Sequence, residues 1–317
     1  MQKKCLIRSL KILIALIVIV GVSWGLYDSW DKIKEIRWEP NYFLLILAGI
    51  CYAVAYIPAA VYWRYAMQTL GQQPGVYETF RAYYIGHLGK YVPGKAMVLV
   101  LRSGLLSRER TKLPVTAASV FLETMTMMAV GAFVAALIAV LWFQQIGHGM
   151  QVPNSNKMLL LALGVMCGTM LPILPPVFHF VAKKCRIELE GLRFRTIAVG
   201  WALNIPVWFM LGLGFWLTML GLGVQSNGVF HDVLYCTLVV SMAVVLGFAT
   251  PIPGGLGARE AAMVLFLVPF FTAHPGMIGE TDPTGMAIVI AAVQRFISIL
   301  SELTASAMLV RKVSTGK

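Results

Sequence analysis

The sequence predicts an all-α polytopic membrane bundle of about eight spans plus a re-entrant segment, and three observations carry that prediction. The chain is 58% hydrophobic and only 13% charged over 317 residues, whereas a soluble domain carries about 25% charged residues. Its apolar runs repeatedly reach the ~20 residues needed to cross a hydrocarbon core of about 30 Å. Its basic residues are sorted by loop: twenty-one of the 26 Lys and Arg fall on one side of the span pattern, and only Lys32, Lys34, Arg37 and Lys157 fall on the other.

The first span, 9–27, begins like a signal peptide, with the basic stretch KKCLIRSLK before ILIALIVIVGV. No small-x-small cleavage site follows and the apolar run reaches Leu26, so the segment reads as an uncleaved span. Further spans are expected at 42–64, 114–142, 157–181, 196–220, 232–250, 259–273 and 285–310. The positive-inside rule then places both termini in the cytoplasm of a plasma (inner) membrane protein. The formal charge of +12 has anionic lipid headgroups as its natural partner. No nucleic acid is expected, because the charge is not gathered in a soluble domain. The longest interval between spans, 65–113, is itself half apolar, so residues 1–317 read as a single transmembrane domain. Cys5, Cys51, Cys167, Cys185 and Cys236 show no metal-ligand spacing and no compact disulfide framework.

Two helix breaks interrupt this pattern. AYYIGHLGKYVPGKAMVLVLRSGLL, residues 82–106, is too apolar for a cytosolic loop, yet Arg81, Arg102 and Arg108 hold both its ends to one side. It reads as a re-entrant segment turning at Pro93 and Gly94, with an amphipathic loop on the interface as the alternative. The second break is TPIPGGLGARE, residues 250–260, where Pro253, Gly254, Gly255 and Gly257 precede Arg259 and Glu260. Proline cannot donate a backbone hydrogen bond and glycine takes positive φ, so one helix ends here and the backbone can approach a ligand before the next begins. The two Pro-Gly pairs lie 160 residues apart and AMVL follows both, at 96–99 and 262–265. Interrupted segments in two halves would make a parallel repeat around a substrate site.

The chemistry expected at these breaks is anion binding. The helix starting near Ala258 offers unpaired N–H groups and a partial positive charge, to which Arg259 adds a full one. Glu260 suits the dipole of that first turn, or pairs with a basic headgroup. Lys90, Lys95 and Arg102 surround the first break and could clamp a phosphate; each also fits a topological role. His87 reads as a packing histidine. Charges within spans cost roughly 2.5–3.5 kcal/mol at the bilayer centre, so Glu123, Arg295 and Glu302 are expected along a polar path. Arg295 and Glu302 share one helix face about 10.5 Å apart, too far to pair directly. The alternative for Glu123 and Arg295 is a buried ion pair with each other. Asn204 and Gln294 are expected to hydrogen-bond between helices. Catalytic signatures are missing: there is no HExxH, GxSxG, Walker loop or Cys-His cluster. No catalytic residue, metal or cofactor is therefore assigned.

GKYVPGK with Arg102, PIPGGLGARE, and a late span carrying Arg295 together resemble the lysylphosphatidylglycerol synthetase transmembrane-region family, also called flippase-like. The resemblance covers nearly the whole chain from the second span onward. It implies lipid translocation, since the domain is similar to the membrane part of bacterial proteins that lysylate phosphatidylglycerol and move the product outward. Relatives without a catalytic domain often accompany glycolipid or hopanoid synthesis. It assigns Gly89, Lys90, Pro93, Gly94, Lys95 and Arg102 to one motif, and Pro253, Gly254, Gly255, Gly257, Arg259 and Glu260 to the other. Glu123 matches a family acidic position, but Thr124 and Met127 stand where relatives carry further charges. No aminoacyl-transferase domain follows Val310, so the chain is not expected to make lysyl-lipid by itself. The expected function is translocation of an anionic or modified phospholipid or glycolipid. A membrane-embedded transferase, with Glu260 or Glu123 as general base, and an accessory subunit docking a separate lipid or glycolipid synthase are the alternatives.

Overall fold

The computed structural model describes residues 40–92, 96–107, 109–146 and 193–314, together with positions 164, 165 and 169. The expected first span and most of the expected span 157–181 lie outside the described residues, as do Pro93, Gly94 and Lys95. Every described element is helical, and six stretches are long and apolar enough to cross a membrane. Each corresponds to one of the other six expected spans.

The first of these stretches, Tyr42–Thr69, is two helices in series, α1 (Tyr42–Ala55) and α2 (Ile57–Thr69). Asn41 caps α1 by accepting from the Leu44 N–H. The joint at Tyr56 places Pro58 in the first turn of α2, where its missing N–H costs no helical bond.

The chain then folds into a hairpin of α3 (Val76–His87), a 3₁₀ turn at Leu88–Tyr91, and α4 (Ala96–Gly104). At 1.5 Å per residue the arms are about 18 and 13 Å long, too short to span a 30 Å core. Glycine brings the arms together: a Cβ on Gly86 would sit 2.3 Å from Arg102 Cγ. The base is closed by Gln73 N–H donating to Arg110 O (3.3 Å) and Lys112 N–H donating to Gln72 Oε1 (2.6 Å). Chain entry and exit are thus adjacent. The hairpin packs against α2 and the last helix, with Thr79, Ala82, Tyr83, Tyr84 and Gly86 buried.

The remaining long helices are α5 (Leu113–Ile146), α6 (Phe194–Gly221), α7 (Val229–Ala249), α8 (Ala258–Ala273) and α9 (Pro283–Ser314), with a 3₁₀ turn at Pro253–Gly255 between α7 and α8. α6 is the centre of the bundle, touching α1, α2, α5 and α7. Small residues let neighbours in: a Cβ on Gly200 would meet the Tyr62 ring, one on Gly212 Thr237, and one on Gly214 Tyr52. Close backbone approach of this kind replaces the hydrophobic driving force that lipid surroundings remove. Polar groups also bridge helices. Trp63 Nε1 donates to Ser119 Oγ (3.0 Å), and Thr218 Oγ1 donates to Gln294 Oε1 (2.8 Å). Gln294 therefore acts between helices as expected, whereas Asn204 donates to Gly200 O of its own helix (2.8 Å).

α3 runs beside the C-terminal half of α9. Tyr77 OH donates to Leu309 O (2.6 Å), Ser306 Oγ to Tyr84 O (3.1 Å), and Lys90 Nζ to Glu302 Oε1 (2.5 Å). The hairpin tip consequently lies well inside the length of α9.

Candidate functional site

The second break meets the turn that leads into the first, whose Pro93 and Gly94 lie outside the described residues. The 3₁₀ turn at Leu88–Tyr91 touches the one at Pro253–Gly255, and Tyr91 lies against Gly254, where a Cβ would be 2.8 Å from Tyr91 Cδ1. Gly254, Gly255 and Gly257 have φ of 63°, 65° and 77°, conformations that L side chains avoid. The PGGLG order is thus read directly in the backbone: proline starts the turn, and the glycines reverse the chain into α8. Arg295, about 18 Å along α9 from Pro283 at 1.5 Å per residue, donates from Nη2 to Gly254 O (2.8 Å). Its guanidinium also stands 5.4 Å from the Tyr91 ring centre.

The charges pair locally. Glu302 accepts from Lys90 Nζ on one oxygen and from Tyr91 OH on the other (3.0 Å). Lys90 Nζ also lies 2.9 Å from His87 Nε2, and the His87 ring packs on Tyr56 and Tyr83, which fits the packing role expected of it. Glu260 accepts from the Gly257 N–H (2.6 Å) and turns its other oxygen to Arg295 Nε at 3.2 Å. Arg295 and Glu302 are each held by groups other than one another, in accord with their separation.

Arg102 and Glu123 occupy a different place from the one the sequence suggested. The pairing of Glu123 with Arg295 does not form, because the hairpin carries Arg102 onto α5 first. Arg102 Nη1 donates to Glu123 Oε2 (2.6 Å) and Tyr83 OH donates to Oε1 (2.9 Å). The Arg102 guanidinium lies 4.0 Å from the Tyr83 ring centre and 5.0 Å from that of Trp63. With 2% of its surface exposed, Arg102 is a structural cation locking α4 to α5, and it does not face the cavity.

Arg259 is the remainder. It has no acidic partner among the described residues, and its Nε makes no hydrogen bond. Its side chain crosses Gly247, where a Cβ would stand 2.4 Å from Arg259 Cγ. From there it lines a cavity of about 570 Å³ bounded by α4, α5, the end of α7 and the second break. Val98, Leu99, Val120, Phe121, Met125 and Phe248 supply apolar walls, while Lys90, Arg259 and the backbone of Gly254 and Gly255 supply the polar end.

Sequence reasoning singled out Lys90, Arg259 and the glycines of the second break; of these Lys90, Arg259, Gly254 and Gly255 line this cavity, and Gly257 does not. It missed Gly247, Tyr91 and Tyr83. Tyr91 lies inside GKYVPGK and could have been found there; Gly247 and Tyr83 carry no local signal. Lys95, Pro93 and Gly94 fall outside the described residues. Among the described residues there is no group of three or more His, Cys, Asp or Glu placed to hold a metal.

No curated protein matches the chain. The model of the family described as lysylphosphatidylglycerol synthase TM region matches residues 9–281. That match takes in both breaks and the helices that carry Glu123 and Arg259, and the chain belongs to this family.

Proposed function

We propose that the chain is a lipid translocase that takes an anionic or modified phospholipid or glycolipid headgroup into the cavity between the two breaks and passes it between leaflets. One observation carries this reading: a cavity with apolar walls has at its polar end a cation, Arg259, with no acidic partner among the described residues. Apolar walls suit acyl or prenyl chains, and a guanidinium suits phosphate through paired N–H donors. In this reading Lys95 is a second phosphate ligand, and the glycines at 254 and 255 let a headgroup approach the backbone. The hairpin is re-entrant from the cytoplasmic face of the plasma (inner) membrane, and both termini are cytoplasmic. Segments 9–27 and 157–181 complete eight spans. Without a nucleotide motif, movement is downhill or coupled to the membrane potential or protons.

A transferase would need a base at the cavity wall. Glu123 has both oxygens engaged by Arg102 and Tyr83, and Glu260 faces Gly257 and Arg295. Neither lines the cavity, so the geometry supports translocation better than catalysis.

The test is a leaflet-accessibility assay in proteoliposomes carrying the host's lipid extract, read by mass spectrometry after outer-leaflet labelling. A lipid labelled only when protein is present, its mass otherwise unchanged, supports translocation. A protein-dependent change of mass supports a transferase. Neither result would point to an accessory subunit of a separate lipid or glycolipid synthase.

A further inference from the structure

The charge inventory of the site narrows the ligand, given the translocase reading above. Three carboxylates lie near the meeting breaks, and each faces a cation of the protein: Glu302 faces Lys90, Glu260 faces Arg295, and Glu123 faces Arg102. Arg259 is the fourth cation, so the described residues of the site carry an excess of positive charge, to which Lys95 adds in the reading above. Among the described residues lining the cavity, Lys90 and Arg259 are charged and none is acidic. The carboxylates are turned into the protein, and each gains a further donor: Tyr91 OH on Glu302, the Gly257 N–H on Glu260 and Tyr83 OH on Glu123.

We infer that the cavity selects a lipid whose headgroup is anionic and carries no ammonium group, a simple phosphodiester of the phosphatidylglycerol type. A phosphodiester supplies the anion that Arg259 lacks, and burial strengthens that attraction relative to water. An ethanolamine or lysylated headgroup would bring its ammonium beside Lys90 and Arg259, where no carboxylate is free to receive it. Like-charge placement in a partly desolvated site is a rejection device as effective as a favourable contact. A glycerol headgroup brings hydroxyls and no further charge. The chain is therefore assigned a ligand charge opposite to that of the lysylated lipid.

The experiment uses the purified full chain in phosphatidylcholine vesicles, each preparation carrying one tracer: phosphatidylglycerol, phosphatidylethanolamine or lysyl-phosphatidylglycerol. Membrane-impermeant periodate reads the glycerol diol, and an impermeant amine reagent reads the other two. Native mass spectrometry of the detergent-solubilised protein, offered the three lipids together, reads retention in parallel. Glycerol phosphate is added in a further arm as a competitor. The expected result is movement and retention of phosphatidylglycerol at least about tenfold above either amine-bearing lipid. Arg259→Glu should erase that preference while remaining monodisperse in detergent, and glycerol phosphate should not displace the bound lipid. Equal movement of all three lipids overturns the charge assignment and leaves translocation standing. Selective retention of phosphatidylglycerol without movement keeps the assignment and removes translocation. Retention of none, retention favouring an amine-bearing lipid, or displacement by glycerol phosphate overturns the inference.

Discussion

The guanidinium of Arg295 holds the carbonyl oxygen of Gly254 at 2.8 Å, so a charge far from either end of α9 fixes the turn from which α8 begins. The same guanidinium faces Glu260 and lies near the Tyr91 ring, which makes it the clasp between the two breaks. Arg295→Ala leaves Glu260 without its counter-ion and Gly254 O without its donor. Breaking a buried pair from one side costs about 3–5 kcal/mol. The expected outcome is a clear drop in the melting temperature of the detergent-solubilised protein, with transport lost as well.

Gly254→Ala tests the turn from the other side. Alanine at φ 63° costs about 1–2 kcal/mol in the left-handed region, and its Cβ would meet Tyr91 Cδ1 at 2.8 Å. Gly276→Ala is the control, since nothing lies within 4 Å of a Cβ there. Thermal melts should separate the two variants by several degrees, with Gly254→Ala the lower.

Arg102 and Glu123 should behave as one unit. Each single truncation leaves a buried charge, at roughly 3–5 kcal/mol, whereas replacing both with apolar residues of similar volume is far milder. A double-mutant cycle on Arg102→Met and Glu123→Leu, measured by unfolding in mixed micelles, should show the double variant more stable than either single one. Additive losses would contradict the pair.

Arg259→Ala should give the reverse pattern. No ion pair is lost, so stability should move by no more than about 0.5 kcal/mol, while lipid movement in proteoliposomes falls at least about tenfold. Paired melting and transport measurements on the Arg102 and Arg259 variants therefore separate a structural cation from a ligand-binding one.

Gly247→Ala keeps the charge and misplaces it. A Cβ there would lie 2.4 Å from Arg259 Cγ and force that side chain off its path. Transport should fall, and Gly247→Ala combined with Arg259→Ala should be no slower than Arg259→Ala alone. A further loss in the double variant would show that Gly247 acts through something else.

Much of the fold was legible because hydrophobic length is a local property: six expected spans recur as six long apolar helical stretches. The second break was legible for a similar reason, since Pro and Gly dictate backbone geometry wherever they occur. Pairing was not legible. Arg102 reads as a phosphate ligand and Glu123 as a partner of Arg295 until the hairpin folds back and brings Arg102 onto α5, a tertiary event with no signature in spacing. Asn204 likewise bonds within its own helix because Gly200 O lies one turn away, a choice that residue type alone leaves open. Gly247 needed the path of Arg259 before its small size meant anything.

The tether between Lys90 and Glu302 joins residues 212 positions apart in the chain. Synthesis at about 5–20 residues per second leaves roughly 10–40 s between the appearance of the two groups. For that interval the newly made hairpin lacks the helix against which it docks, including the acceptors at Leu309 and Glu302. Seating of the hairpin is thus a closing step of biogenesis, and a nascent chain halted before Glu302 would present an undocked hairpin to the quality-control proteases of the membrane.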